Sequence, residues 1–260
     1  MAKELLSFGI KMFILGDIDQ LPPVMDSQYF LVQPNYHLTE IMRQAEGDPI
    51  VTVSRKLIKG ESLEYGRYGD SVLVIPYEAV NDNVLTKPDI LLCGRNKTRD
   101  EINYHIRYDI NSRKTVYPTR GDKIICRQNN WRESIDVEGN TIYLINGLSG
   151  TVENVYRETM KKETINIDFK PDFTDEMFYN IPIHHGFYAG DLNTRNEIKN
   201  MKSRGNKFEL ADAITVHLSQ GSEYALVVYF KETIGFNRRY NCQLDYTAAT
   251  RASKALIIVQ

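Results

Sequence analysis

The stretch Lys11–Val24 reads KMFILGDIDQLPPV. Its apolar run, Met12 to Leu15, stops abruptly at Gly16-Asp17. A short apolar run closed by a turn signal predicts a buried strand, parallel and central in a sheet. The residues that follow cannot continue a strand. Pro22 and Pro23 each remove a backbone donor and fix φ. A buried strand would therefore deliver the polar loop Asp17–Gln20 at its carboxyl end, where open α/β sheets bind ligands. The competing reading is an ordinary surface turn after a strand.

Working outward, the 260 residues suffice for one large or two modest domains. Composition is that of a globular protein, 42% hydrophobic and 25% charged. No apolar run approaches the roughly 20 residues of a membrane span. The opening residues lack a signal-peptide layout. Cys93, Cys126 and Cys242 are widely spaced and odd in number, which argues against a disulfide framework or zinc site and for a reducing, cytoplasmic setting. The formal net charge of −2 does not announce a nucleic-acid binder. Between Arg95 and Arg132, however, ten Lys/Arg stand against four Asp/Glu. Such a basic segment is a candidate phosphate surface or simply a solvated face.

Several elements follow from local signals. Ala2–Phe8 reads as a short helix ending at Gly9. Asp48-Pro49 opens a helix with an N-cap and a proline at its first position, and Ile50, Val53, Leu57 and Ile58 form its apolar stripe up to Gly60. In DILLCGRNKTRDEIN (Asp89–Asn103), Ile90–Cys93 is a buried strand, and Asn96 is expected to cap a helix with an apolar side of Ile102, Ile106 and Ile110. Asn96, Thr98 and Arg99 would then lie at a helix N-terminus, suited either to an anion or to capping alone.

From Lys114 to Asp191 the pattern changes to short β runs, Lys123–Arg127, Ile142–Ile145, Gly150–Val155 and Thr164–Phe169. Gly, Asn and Pro turns separate them, with Asn146-Gly147 a turn signal, and the Gly147/Gly150 pair reads as hairpin geometry rather than a phosphate loop. Regular short strands suggest a small barrel. Trp131, the sole tryptophan, beside Arg127 and Arg132, reads as a partly buried barrel aromatic, with base stacking as the alternative. His184-His185 lack a spaced metal partner. Ala213–Glu223, AITVHLSQGSE, precedes a buried strand at Ala225–Phe230, and Leu244–Val259, LDYTAATRASKALIIV, reads as a helix and a terminal strand.

Four of these segments together resemble superfamily-1 helicases of the RecD-like/Dda-like branch. GDIDQLPPV is similar to that family's third motif, GDxxQLPPV. YHLTEIMRQ (Tyr36–Gln44) is similar to the fourth, TVHLSQGSE to the fifth (TVHKSQGSE), and YTAATRA to the sixth. One departure is plain: Leu218 stands where the family pattern has lysine. GDKIICRQNN followed by INGLSGTV resembles the family's SH3-like insertion, and NKTRDEIN its N-x-x-R-x-x-x-N motif near single-stranded DNA.

The resemblance implies an α/β fold: a RecA-like parallel sheet domain with an inserted SH3-like small β-barrel. Residues 1–35 would be the end of a first RecA-like domain, 36–112 and 204–260 the second, and 113–203 the insertion. Gln20, Arg43 and Arg251 are implied as catalytic, joined by Glu223 as nucleotide contacts. Arg43 and Arg251 would act on the γ-phosphate as planar, always charged groups. Asn96, Thr98, Arg99, His217 and Ser219 are implied to meet DNA.

The chain has no G-x-x-x-x-G-K-[ST] phosphate loop and no strand ending in Asp-Glu before Gly16. ATP and Mg2+ are therefore expected only in a complete enzyme, with none held by this chain alone. The expected partners are single-stranded DNA and an N-terminal helicase half, with no membrane. The implied activity is ATP-dependent 5′-to-3′ unwinding. The alternative is a non-enzymatic DNA-binding or regulatory remnant.

Overall fold

The computed structural model describes residues 2–22, 35–36, 47–161, 163–190, 192–200 and 204–260. The elements begin with α1 (Ala2–Ser7), α2 (Pro49–Ile58), β1 (Gly66–Tyr68), β2 (Val72–Ile75), α3 (Asp82–Thr86), β3 (Ile90–Cys93) and α4 (Asn96–Tyr104). Then come β4 (Lys123–Cys126), β5 (Asn130–Val137), β6 (Asn140–Leu144), β7 (Ser149–Tyr156), β8 (Thr164–Pro171) and β9 (Phe178–His184). The chain closes with α5 (His185–Ala189), α6 (Leu192–Asn200), β10 (Phe208–Leu210), β11 (Ala213–Thr215), β12 (Tyr224–Phe230), α7 (Arg238–Ala249) and β13 (Ala252–Val259).

One sheet has the order β1-β2-β13-β12-β3-β11, parallel throughout except for β1. Its β3 strand is buried along its whole length, because helices cover both faces. On one face Ile50, Val53 and Leu57 of α2 pack with Leu244 and Ala248 of α7. On the other, Ile106 packs with Leu91, Cys93, Val228 and Phe230. Helix α2 forms as its sequence dictates: the Asp48 carboxylate accepts from Ile50 N at 2.7 Å, and Pro49 starts the first turn. Gly60 ends it with φ +71°, a conformation that disfavours any side chain. Expected and observed elements also coincide at β3, β12, α7 and β13 within a residue or a few.

The second sheet is antiparallel, order β10-β4-β7-β8-β9, and β5-β6 forms a separate ribbon. A lone parallel bridge, Ile183 with Asn206, links the β9 side to the chain just before β10. Its own core gathers Ile124, Val152, Ile167, Phe169 and Phe208. Strand β10 pairs with β4, so this sheet takes its last strand from within residues 204–260. The turn signal at Asn146-Gly147 is real, with Gly147 at φ +93°, yet it joins β6 to β7, which do not pair. The hairpin turn is Glu138-Gly139, both at positive φ as a type I′ turn requires.

Two expectations of burial fail. Met12–Leu15 forms no strand: Phe13 is 98% and Leu15 88% exposed, with Ile14 exposed as well. An apolar run becomes a buried strand only where a sheet offers an unpaired edge, and it pairs with no strand among the described residues. Trp131, expected as a partly buried barrel aromatic, is 64% exposed. It leans edge-on against Tyr143, centroids 5.4 Å apart, where Trp131, Arg132 and Glu133 bulge out of the β5-β6 ladder.

Candidate functional site

The polar loop Asp17–Leu21 is held against α7. Leu21 N donates to the buried Thr247 Oγ1 at 2.9 Å, and Gln243 Nε2 donates to Ile18 O at 3.0 Å. Tyr246 OH donates to Asp17 Oδ2 at 3.1 Å. From the loop after β11, Gln220 Nε2 donates to Leu21 O at 2.8 Å. Four hydrogen bonds thus span about two hundred residues of sequence and gather three of the recognised segments at one place. Within the loop, Asp17 accepts from Asp19 N and from Gln20 Nε2, which fixes the Gln20 side chain. Burial and then the Asp17 carboxylate raise the Tyr246 phenol, so it stays a donor at neutral pH.

Arg251 follows the last turn of α7 and is buried. Its Nε donates to Thr247 O at 3.2 Å, Nη1 to Ser222 O at 2.9 Å and Nη2 to Thr250 Oγ1 at 3.3 Å. These bonds tie α7 to the turn that enters β12. Ser219 is fully buried and donates to Val216 O at 2.8 Å. His217 is half-buried, with Nε2 3.2 Å from Tyr240 OH, and burial lowers its pKa. Leu218, in place of the family's lysine, packs against the core of the parallel sheet. Glu223 is exposed and lines a cleft of about 560 Å3 between the two sheets, beside Asp172 and Phe173. Arg43 lies outside the described residues.

The N-terminus of α4 differs from expectation. Arg95, not Asn96, is the N-cap residue, and it makes no side-chain cap. The anion position is taken by a side chain of the protein itself. The Glu232 carboxylate accepts from Gly94 N at 2.7 Å, Arg95 N at 3.0 Å and Thr98 Oγ1 at 2.6 Å. Nothing in the sequence near Asn96 signalled Glu232, since the two meet only through the β3-β12 pairing. Arg99 is 3% exposed and pairs with Asp100 at 2.8 Å and Glu209 at 2.9 Å. Asn96 remains exposed. The basic segment is likewise no continuous solvated stripe: Arg99 and Arg107 are buried and ion-paired, and Arg127 is partly buried against Glu209.

Residues 210–259 match the model of the UvrD-like helicase C-terminal domain. The superfamily-1 helicase resemblance is shown by that match. It spans β11, β12, α7 and β13, the elements that carry the loop contacts above. Among solved structures, the Pif1 helicase from Candida albicans aligns with a TM-score of 0.54 at 16% identity, over 94% of this chain and 62% of that one. A Bacteroides Pif1 helicase in complex with ADP-AlF3 and ssDNA aligns with a TM-score of 0.49 at 15% identity, over 94% of this chain and 60% of its own. At such identity the Candida structure establishes the fold. This chain spans about three fifths of the length of these helicases. The arrangement is similar to the C-terminal portion of a superfamily-1 helicase.

For a nucleotide, the described residues offer only part of a site. Gln20 is half-buried and held by Asp17, while Arg251 is tied to carbonyls. No phosphate loop exists in the sequence. Among the described residues no group of three His, Cys, Asp or Glu could hold a metal. Among the described residues no helix is long and apolar enough to cross a membrane.

Proposed function

We propose that this chain supplies the second motor domain of an ATP-dependent 5′-to-3′ DNA helicase of the RecD-like/Dda-like branch. The observation that carries the proposal is the docking of the Asp17–Leu21 loop on α7 and on the loop after β11. A motor that couples nucleotide to DNA needs its nucleotide-sensing loop, its DNA-facing loop and its arginine helix mechanically joined. Gln20, Arg43, Glu223 and Arg251 are its nucleotide residues in this reading, and Asn96, Thr98 and His217 its DNA residues. Arg251 would have to leave its carbonyl partners to reach a phosphate, and Thr98 would have to leave Glu232. Arg99 and Ser219, both buried and bonded internally, hold the DNA-facing segments in place rather than touching the strand. The antiparallel sheet, with its edges bridged at Ile183 and Asn206, acts as the SH3-like barrel.

The complete enzyme needs a phosphate loop and a metal-binding carboxylate from an N-terminal half. The test is DNA-stimulated ATPase of this chain combined with such a half, with unwinding measured on 5′-tailed and 3′-tailed duplexes. Activity restored on the 5′-tailed duplex, and lowered at least about tenfold by Gln20→Ala without loss of melting temperature, supports the proposal. Single-strand binding with no ATPase in any combination would favour a non-enzymatic remnant. The core-packed Leu218, which lacks the family's cation, fits that second reading.

A further inference from the structure

A second group of charges lies outside the loop–α7 site, between α4 and the antiparallel sheet. Arg99, Arg127 and Arg195 converge there on Glu209 and Asp100. Arg99 Nη1 is 2.9 Å and Arg127 Nε 3.3 Å from Glu209 Oε2, and Arg195 Nη1 is 2.9 Å from Asp100 Oδ1. Three guanidinium groups thus face two carboxylates, and one positive charge is left over.

Burying excess charge is costly unless a counter-charge arrives. Two features show where it would sit. Arg127 Nη1 is buried and has no hydrogen-bond partner. The arginines also line a cavity of about 130 Å3, with Asn96 and Asn196 at its wall. A water's share of liquid volume is about 30 Å3, so the space holds a group several times larger. Guanidinium groups match tetrahedral oxyanions through paired N–H donors. The neighbouring α4 N-terminus does not compete, because Glu232 already occupies it.

We propose that this cavity binds one phosphate group of a single-stranded DNA backbone, with Arg127 as the principal donor and Arg195, held by Asp100, Tyr104 and Phe187, as a positive wall. This deepens the single-strand reading above and rests on it. It moves the phosphate contact from Arg99 to Arg127 of the inserted segment, which would couple that segment to the strand. The carboxylate of Glu209 orients the arginines and leaves the unpaired Arg127 N–H for the ligand.

The experiment measures binding of a labelled oligothymidylate to the 260-residue chain across a salt series, for the parent, Arg127→Gln and Arg132→Gln. Arg132 is exposed and does not line the cavity, so its loss controls for net charge alone. The expected result is a weakening of roughly three- to tenfold for Arg127→Gln, with the log–log salt slope reduced by about 0.7, the value for one single-strand phosphate. Arg132→Gln should do less on both counts. In parallel, inorganic phosphate should raise the melting temperature of the parent and of Arg127→Lys, and leave Arg127→Gln unmoved. Equal effects of Arg127→Gln and Arg132→Gln, with no phosphate protection, would overturn the proposal while DNA binding itself persists. Phosphate protection that depends on Arg127, in a chain that binds no oligonucleotide, would keep the anion site and remove DNA as its ligand.

Discussion

Two neighbouring pieces of one stretch have opposite fates. Lys11–Leu15, the apolar piece, leaves Phe13, Ile14 and Leu15 in solvent. Asp17–Leu21, the polar piece, is anchored to α7 by hydrogen bonds and ends in a Leu21 only 3% exposed. Hydropathy alone ranks them the other way round. The difference shows that partners decide burial: the polar loop meets Thr247, Gln243, Tyr246 and Gln220, whereas the apolar run meets no sheet edge among the described residues. The same contrast separates two carboxylates. Asp17 accepts from three donors, while the largest influence on Asp212 is burial, which pushes its pKa up to about 6.

The largest test of this contrast is Arg251→Ala. Removing the guanidinium leaves the Ser222 carbonyl without its donor and the Thr247 carbonyl with only Thr250 Oγ1, and a loss of about 2–4 kcal/mol is expected in urea denaturation. An unchanged midpoint would mean that the α7 junction holds without Arg251. Next is Thr247→Val, which keeps the shape and deletes the acceptor of Leu21 N–H. About 1–3 kcal/mol should be lost, and amide exchange should quicken at Leu21 first. Slow exchange there in the variant would break the claim that this bond anchors the loop.

Asp212→Asn sharpens the carboxylate comparison. Because the folded pKa lies near 6 and the ordinary value is 3.8, the folded state holds the extra proton between them. Stability therefore falls as pH rises through that window and stays lower above it. The variant should melt higher than the parent at pH 7.5, by about 2–4 °C for each kcal/mol recovered. It should match the parent near pH 4. The smallest effect belongs to Leu15→Ser. A change within about 0.5 kcal/mol fits an exposed residue, against the roughly 2–5 kcal/mol that truncating a buried leucine costs. A large loss would restore the buried strand.

The sequence was sufficient wherever the signal was local or the pattern periodic. Asp48-Pro49 placed α2, the all-apolar Ile90–Cys93 placed β3, and Tyr246, Thr250 and Arg251 marked a segment inside the matched residues 210–259. It failed where an answer depended on what another segment brings. Glu232 reaches the α4 N-terminus only because β12 lies beside β3. Arg99 reads as a candidate DNA contact at a helix N-terminus until Glu209 on β10 pairs with it. Trp131 reads as a partly buried barrel aromatic until a bulge turns it outward.

By itself, then, the sequence determined the parallel α/β class, the two ends of α2 and the order of the helicase-like segments, because capping and apolar periodicity act over a few residues. Only the tertiary structure decided which of those residues stay free to meet a ligand. A charge is available only if no opposite charge has been folded against it, and pairing across more than a hundred residues leaves no local trace in the chain.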